Sequence, residues 1–213
     1  MKNSYCTIYI VRHGESEANV KQILQGHMNT KLTKQGEAQA REAGKKLKKI
    51  HFDAVFSSDL IRAKRTAEII MLEKKIAVKT TKVLRERSFG RFEGKDYQKF
   101  HDETKNLRKA IEKLTDEQRF ISKLKEDVES DEELMIRLIP FLREIAVAYA
   151  GKTVLMASHG GIMRALLIHL GFGDYNNLSI RAVKNLGFIK LSSDGVDFFI
   201  KETWNIEKRD DIG

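Results

Sequence analysis

"YCTIYIVRHGESEAN", residues 5–19, decides the fold. Tyr5 to Val11 is short, rich in β-branched and aromatic residues, and stops at Arg12-His13-Gly14, so it predicts a buried strand ending in a turn. In open α/β sheets ligands bind outside the carboxyl ends of strands, which is where His13 falls. An imidazole there serves as nucleophile, general base or metal ligand. The adjoining Arg12 guanidinium offers a planar fork to phosphate oxygens and favours the first of these roles. Phosphate chemistry is the leading hypothesis, set against the bland alternative of two solvated loop residues.

The same arrangement recurs far along the chain. "KTVLMASHGG" (152–161) is again an apolar strand, a polar turn carrying His159, two glycines and the start of a helix that runs through Leu170. Between the two, Thr33 is a candidate N-cap, and Gly36, Ala40, Ala43, Leu47 and Ile50 recur at helical spacing as a small-residue face against a sheet. "DAVFSS" (53–58) reads as a strand, followed by a helix from near Leu60. That junction carries Arg62 in the helix's first turn, where charge and helix dipole both favour an anion; otherwise it is one more surface arginine. Residues 76–81 read as a strand leading into "LRERSFGRFEG" (84–94), a loop of the kind placed over sites. Residues 98–127 are charged, lack strand patterning, and predict one or two solvated helices. Glu129 to Tyr149 is helical, with Pro140 expected to break or kink it. Gly187 to Ser192 and Val196 to Thr203 predict a hairpin across Ser193-Asp194-Gly195. Strands alternating with helices give an α/β fold, a three-layer α/β/α sandwich with a mainly parallel sheet, one antiparallel strand being allowed. The whole chain, 1–213, reads as a single domain with a helical cap insertion at about 98–127.

Composition narrows the function classes. The net charge of +9 includes "KKLKK" at 45–49, but Lys-rich helices are ordinarily solvated faces, and the same field attracts a small anionic substrate. No nucleic-acid signature accompanies the charge, so no nucleic-acid partner is expected. Cys6 is alone, which excludes an intrachain disulfide and predicts a buried, inert thiol. No apolar run is long enough to span a bilayer and the N-terminus lacks a secretory pattern, so no membrane partner is expected and the cytoplasm is the default location. No Cys/His spacing calls for zinc, and neither a metal nor a cofactor is expected. Oligomeric state is left open.

Taken together, "RHGESEAN" (12–19), "SSDLIRAKRTA" (57–67), "LRERSFGRFEG" (84–94) and "ASHGG" (157–161) resemble, in order, the motifs of the histidine phosphatase superfamily, which includes cofactor-dependent phosphoglycerate mutases. The resemblance covers roughly residues 5 to 192. It implies that His13 attacks phosphorus in line and becomes a phosphohistidine. Arg12, Arg62 and His159 would clamp the equatorial oxygens. Asn19 and the Gly160 amide match further phosphate-pocket positions, and Gln25 and Gly26 fall where family members contact substrate. Glu86 matches the usual proton donor, protonating the leaving alkoxide and later deprotonating water. His13 needs an unprotonated nitrogen amid cationic neighbours, with its other nitrogen fixed by an acceptor, in the family a backbone carbonyl. Arg137 resembles a structural arginine of the family, although Val128 stands where glycine is usual. His27, His51, His101 and His169 lie outside the motifs and take the bland reading. Glu15, beside a phosphate pocket, is expected to point away or pair with arginine. Arg85 and Arg87 either orient Glu86 or are solvated.

The superfamily holds both hydrolases and mutases. "QGHMNTKLT" (25–33) resembles the phosphatase branch rather than the Gly-Trp segment of the mutases. Phe89 replaces a mutase tyrosine, and "QKFHDETKNLRKAIEKL" (98–114) has no clear paired-arginine equivalent. These departures favour a phosphomonoester phosphatase acting on a small phosphorylated substrate. The alternatives are a cofactor-dependent phosphoglycerate mutase, a phosphoprotein phosphatase, and an inactive binding module; the joint presence of Arg12, His13, Arg62, Glu86 and His159 argues against the last.

Overall fold

Strand β1 (Cys6–Arg12) is the one from which the sheet is built in both directions. The others are β2 (Ala54–Ser58), β3 (Val78–Thr81), β4 (Thr153–Ser158), β5 (Val183–Ser193) and β6 (Phe198–Ile206), in the order β3-β2-β4-β1-β5-β6. The structure is a computed structural model and describes residues 4–72, 74 and 76–209. Strands β1 to β4 pair in parallel, β5 runs antiparallel to β1, and β6 reverses again beside β5. Only β5 therefore opposes the common direction.

Successive residues of a strand point to opposite faces, and the two cores divide along that alternation. Ile8, Ile10, Val154 and Met156 face one core, whereas Tyr9, Val11, Leu155 and Ala157 face the other. A strand buried on both sides reads as a continuous apolar run, which is why β1 and β4 were legible. The first core is closed by α6 (Asp131–Ala148) and α7 (Gly160–His169), the second by α2 (Lys34–Lys46) and α3 (Ile61–Ile70), completing three layers. Thr33 caps α2, its hydroxyl accepting the Gly36 N–H at 2.9 Å. Ile50 lies past the end of that helix.

Three expectations are corrected. Pro140 does not break α6, which runs through it. Its ring costs about 3 kcal/mol in a helix interior. Leu134, Leu138, Leu142 and Ile145 on the opposite face are nearly fully buried, and each contributes about 1.5–3 kcal/mol. Pro140 and Ile136, whose carbonyl loses its partner, are both exposed, so water can take that bond. The first hairpin strand begins at Val183 instead of Gly187, with an irregular register before Phe188 and Leu186 at φ +57°. That irregularity interrupts the alternation a sequence reading depends on. Finally, residues 98–127 hold α4 (Tyr97–Ile111) and α5 (Asp116–Ile121), and α4 is not solvated all round. Phe100 packs edge-on against Phe89 and Phe92, forming a third small core with Leu24 and Val128. The insertion is thereby seated on the 84–94 loop.

From β1 the chain crosses toward β2, whereas from β4 it crosses through α7 toward β5 on the other side. Crossovers that diverge from adjacent strands open a crevice at their carboxyl ends. Arg12 and Ser158 are register partners at that edge.

Candidate active site

The residues that follow those partners, His13 and His159, come together with ring centroids 5.1 Å apart, and both are buried. The Nδ1 of His13 lies 2.6 Å from the Gly14 carbonyl oxygen. A carbonyl only accepts, so Nδ1 carries the proton and Nε2 keeps its lone pair. Toward that lone pair Arg62 donates its Nε at 3.3 Å. Arg62 reaches this point because β2 ends at Ser58 and the first turn of α3 follows, and because its other nitrogens donate to the carbonyls of Met28 (2.8 Å) and Gly26 (2.9 Å). Desolvation pulls the Arg62 guanidinium down to about 10, with Glu86 opposing and Arg12 reinforcing the shift. Burial first, then Arg62 and Arg12, hold the imidazole of His13 well below its usual range. His159 is lowered by burial, then by Arg62, His13 and Arg12.

Buried polar atoms without partners are rare in folded proteins. Among the described residues four such side-chain atoms occur, and three are Arg12 Nε and both ring nitrogens of His159. Arg12 is anchored through Nη1 to the Val183 carbonyl at 2.6 Å, leaving Nε aimed elsewhere. Arg12 Nε and the one protonated nitrogen of a neutral His159 are thus unpaired donors, which suit a ligand with several acceptor oxygens.

Glu86 closes the site from the loop after β3. Its carboxylate accepts the N–H of Arg87 (2.8 Å), Gly161 (2.9 Å) and Ile162 (3.0 Å), the last two belonging to the first turn of α7. A Cβ on Gly161 would sit 2.5 Å from Glu86 Oε1, so this close approach requires glycine. The Gly160 N–H has no acceptor among the described residues and is left at the positive end of the α7 dipole.

The remaining candidates sit on the segment after β1. Asn19 Oδ1 accepts the backbone N–H of Ser16 at 3.0 Å, closing the capping box of α1 (Glu17–Val20). Gln25 Oε1 accepts the hydroxyls of Ser16 (3.0 Å) and Thr30 (2.6 Å). Fixing the oxygen ends leaves both amino groups as donors. Gly26 acts through its carbonyl, on Arg62, at φ +47°. Glu15 turns away to the Thr33 hydroxyl at 2.7 Å. Arg85 pairs bidentately with Asp59, while Arg87 reaches the Glu129 carbonyl and the Asp131 carboxylate. Arg137 pairs with Glu129 and donates to the carbonyls of Val83, Arg85 and Glu86, bracing the loop that carries Glu86.

Sequence reading missed His27, whose Nε2 donates to the Glu86 carbonyl at 2.9 Å, and Asn185, which donates to the His13 carbonyl at 2.9 Å. Both act on backbone across long separations, so no local pattern announces them. His51, His101 and His169 take no part in the cluster: His51 is exposed beside Asp53, His101 lies on α4, and His169 is at the far end of α7 stacked on Phe120.

No helix among the described residues is long and apolar enough to cross a membrane. Residues 8–206 match the family model of histidine phosphatase superfamily branch 1. The chain is 34% identical over 176 residues to an uncharacterized phosphatase, PhoE, of Bacillus subtilis, covering 83% of each. To a broad-specificity phosphatase of Saccharomyces cerevisiae it is 31% identical over 219 residues, covering 96% of this chain and 88% of the relative. A phosphoglycerate mutase structure from Bacillus anthracis superimposes with a TM-score of 0.82 at 23% identity, over 95% of this chain and 94% of that one, and so shares the fold. The match to the family model over most of the chain, with curated relatives above 30% identity along most of their length, is decisive: the chain belongs to branch 1 of the histidine phosphatase superfamily.

Proposed function

We propose that this protein is a phosphomonoester phosphatase working through a phosphohistidine on His13. The observation that carries the reading is the lone pair of His13 Nε2, oriented by the Gly14 carbonyl and flanked by Arg62, within a cluster whose unpaired donors suit a phosphate. Nε2 attacks phosphorus, the P–O ester bond breaks, and its electron pair leaves on the alkoxide, which takes a proton from Glu86. Arg12, Arg62, His159 and the Gly160 N–H stabilise the charge on the transferring group. Asn19 and Gln25 extend the same cradle through their amino groups. Water then attacks the phosphohistidine, giving its proton to Glu86 and releasing phosphate and a free His13.

Glu86 accepts at three points, which fix its carboxyl at the boundary where the alkoxide leaves. The Gly160 amide then serves the phosphate while Gly161 and Ile162 continue to hold Glu86.

We read residues 1–213 as one catalytic domain with the 98–127 helices as its insertion, acting on a small phosphorylated substrate. The lone thiol, Cys6, is buried in β1, which fits a reducing compartment, and we infer the cytoplasm. Phosphate release from an aryl phosphate, compared with His13→Ala, tests the reading; equal rates in the two proteins would overturn it. Following 3-phosphoglycerate with and without its bisphosphate separates hydrolysis from a mutase, for which isomerisation would outrun phosphate release.

A further inference from the structure

Beside the His13 cluster, and sharing Gly161 and Arg87 with the Glu86 anchor, lies a cavity of about 340 Å³ beneath α4 and α5. Its position follows from the proposed chemistry, on which this inference rests. Phosphate occupies the histidine cluster, Glu86 stands at the boundary, and the alcohol that Glu86 protonates must extend to the far side.

Two features define what fits there. The walls include Phe89, Tyr97, Phe100 and Tyr175, broad aromatic faces suited to a flat, largely apolar group. Arg108 and Arg164 also line the cavity, and each is stacked on an aromatic ring and tethered through Nε alone. Arg108 lies 5.2 Å from the Phe100 centroid and donates to Thr104 Oγ1 at 2.9 Å. Arg164 lies 5.3 Å from the Tyr175 centroid and donates to the Leu178 carbonyl at 2.7 Å. Neither guanidinium forms a carboxylate ion pair among the described residues. Burial is the largest influence and disfavours both charges; Tyr97 and Glu112 partly offset it at Arg108, Asp131 and Tyr175 at Arg164, and Arg87 adds repulsion to each. The nearby acids are otherwise occupied or turned out: Asp131 binds Arg87 and Tyr175, Glu129 binds Arg137, and Glu112 is exposed. Two partly desolvated forks, whose Nη ends have no hydrogen-bond partner among the described residues, are therefore preorganised for an anion.

We propose that this cavity is the alcohol-side subsite and that the preferred substrates are phosphomonoesters of an aromatic or similarly flat alcohol bearing a second anionic oxyacid, which Arg108 and Arg164 hold. Arg181, stacked 5.1 Å from the centroid of Tyr97 and close enough to Arg12 to act on its charge, links the two anion sites electrostatically.

The test compares 4-carboxybenzyl phosphate with 4-carbamoylbenzyl phosphate, which differ in charge but hardly in shape. Wild type is expected to favour the carboxylate in kcat/KM by about tenfold or more. Arg108→Gln and Arg164→Gln each collapse that ratio while sparing the carbamoyl ester, and Lys201→Gln, a remote exposed charge, leaves it unchanged. Because Arg164 also braces the Leu178 carbonyl, Arg108→Gln on the outer helix is the variant that decides if Arg164→Gln fails to fold. A third ester carrying a phosphonate in place of the carboxylate shows which oxyacid the forks prefer; either preference, lost in Arg108→Gln, supports the subsite. A wild-type ratio near unity with both esters hydrolysed overturns the subsite alone, as does an equal fall of the ratio in Lys201→Gln. Calorimetry with the corresponding benzylphosphonates reads the subsite without turnover. Charge-selective binding with no hydrolysis of any ester contradicts the phosphatase reading and, with it, an alcohol pocket.

Discussion

Nε of Arg62 stands 3.3 Å from Nε2 of His13, with both side chains withdrawn from solvent. The guanidinium can hold that position only because the carbonyls of Gly26 and Met28 grip its other two nitrogens. In the proposed mechanism it orients the nucleophile before reaction and faces the charge that accumulates during it. Lysine preserves the charge but not the fork. Arg62→Lys is expected to lower kcat on an aryl phosphate by about 10²–10³-fold. An unchanged kcat would remove Arg62 from the transition state.

Glu86→Gln keeps the shape of the side chain and removes its exchangeable proton. Loss of general acid catalysis should slow alkyl phosphates by about 10²–10⁴-fold. Aryl phosphates, whose leaving groups need little protonation, should suffer far less. Steady-state rates on a matched pair decide this, and equal losses on both would take the acid role away from Glu86.

Gly161→Ala tests the anchor of that carboxylate rather than the carboxylate itself. The added methyl would lie 2.5 Å from Glu86 Oε1, within the first turn of α7. Either the carboxylate or the helix start must yield. The expected phenotype copies Glu86→Gln in its bias against alkyl esters, with a thermal midpoint close to wild type. A variant with normal alkyl turnover would show that the anchor is not used.

His13 and His159 both have folded-state affinities for protons below those of the unfolded chain, burial being the largest cause. Above about pH 6.5 neither state binds a proton there and the pair contributes no pH dependence. Below it the unfolded chain takes up protons that the folded chain refuses, so stability falls as pH drops. The slope is up to about 1.4 kcal/mol per pH unit for each histidine. Urea midpoints across this window should show the decline, and His159→Gln should reduce it. An identical slope in the variant would mean that His159 is protonated in the folded protein.

The parts of this protein legible in its sequence are those where chemistry and local geometry coincide. β1 and β4 were readable because each is buried on both faces and each ends in a His-Gly turn, and Arg62 because a strand-to-helix junction delivers it. A break at Pro140, one half of the expectation of a break or kink, does not occur, because its local cost is real while the burial of Leu138 and Leu142 that overrides it is tertiary. The supports of the site were hidden for the same reason. His27 reaches the Glu86 carbonyl from 59 residues away and Asn185 the His13 carbonyl from 172, whereas Arg137 was legible only through the family resemblance. Arg108 looked like one more charge on a solvated helix; only the folded chain shows it stacked on Phe100, with no carboxylate ion pair among the described residues.

The central claim is that His13 carries the phosphoryl group. Rapid quenching of the enzyme with an aryl phosphate, followed by peptide mass spectrometry under alkaline conditions, tests it most directly. The account predicts one acid-labile phosphoryl group on the peptide containing His13, absent in His13→Ala and accumulating in Glu86→Gln, where water is not activated. Turnover with no covalent phosphoryl enzyme, or with the group on His159, would contradict it.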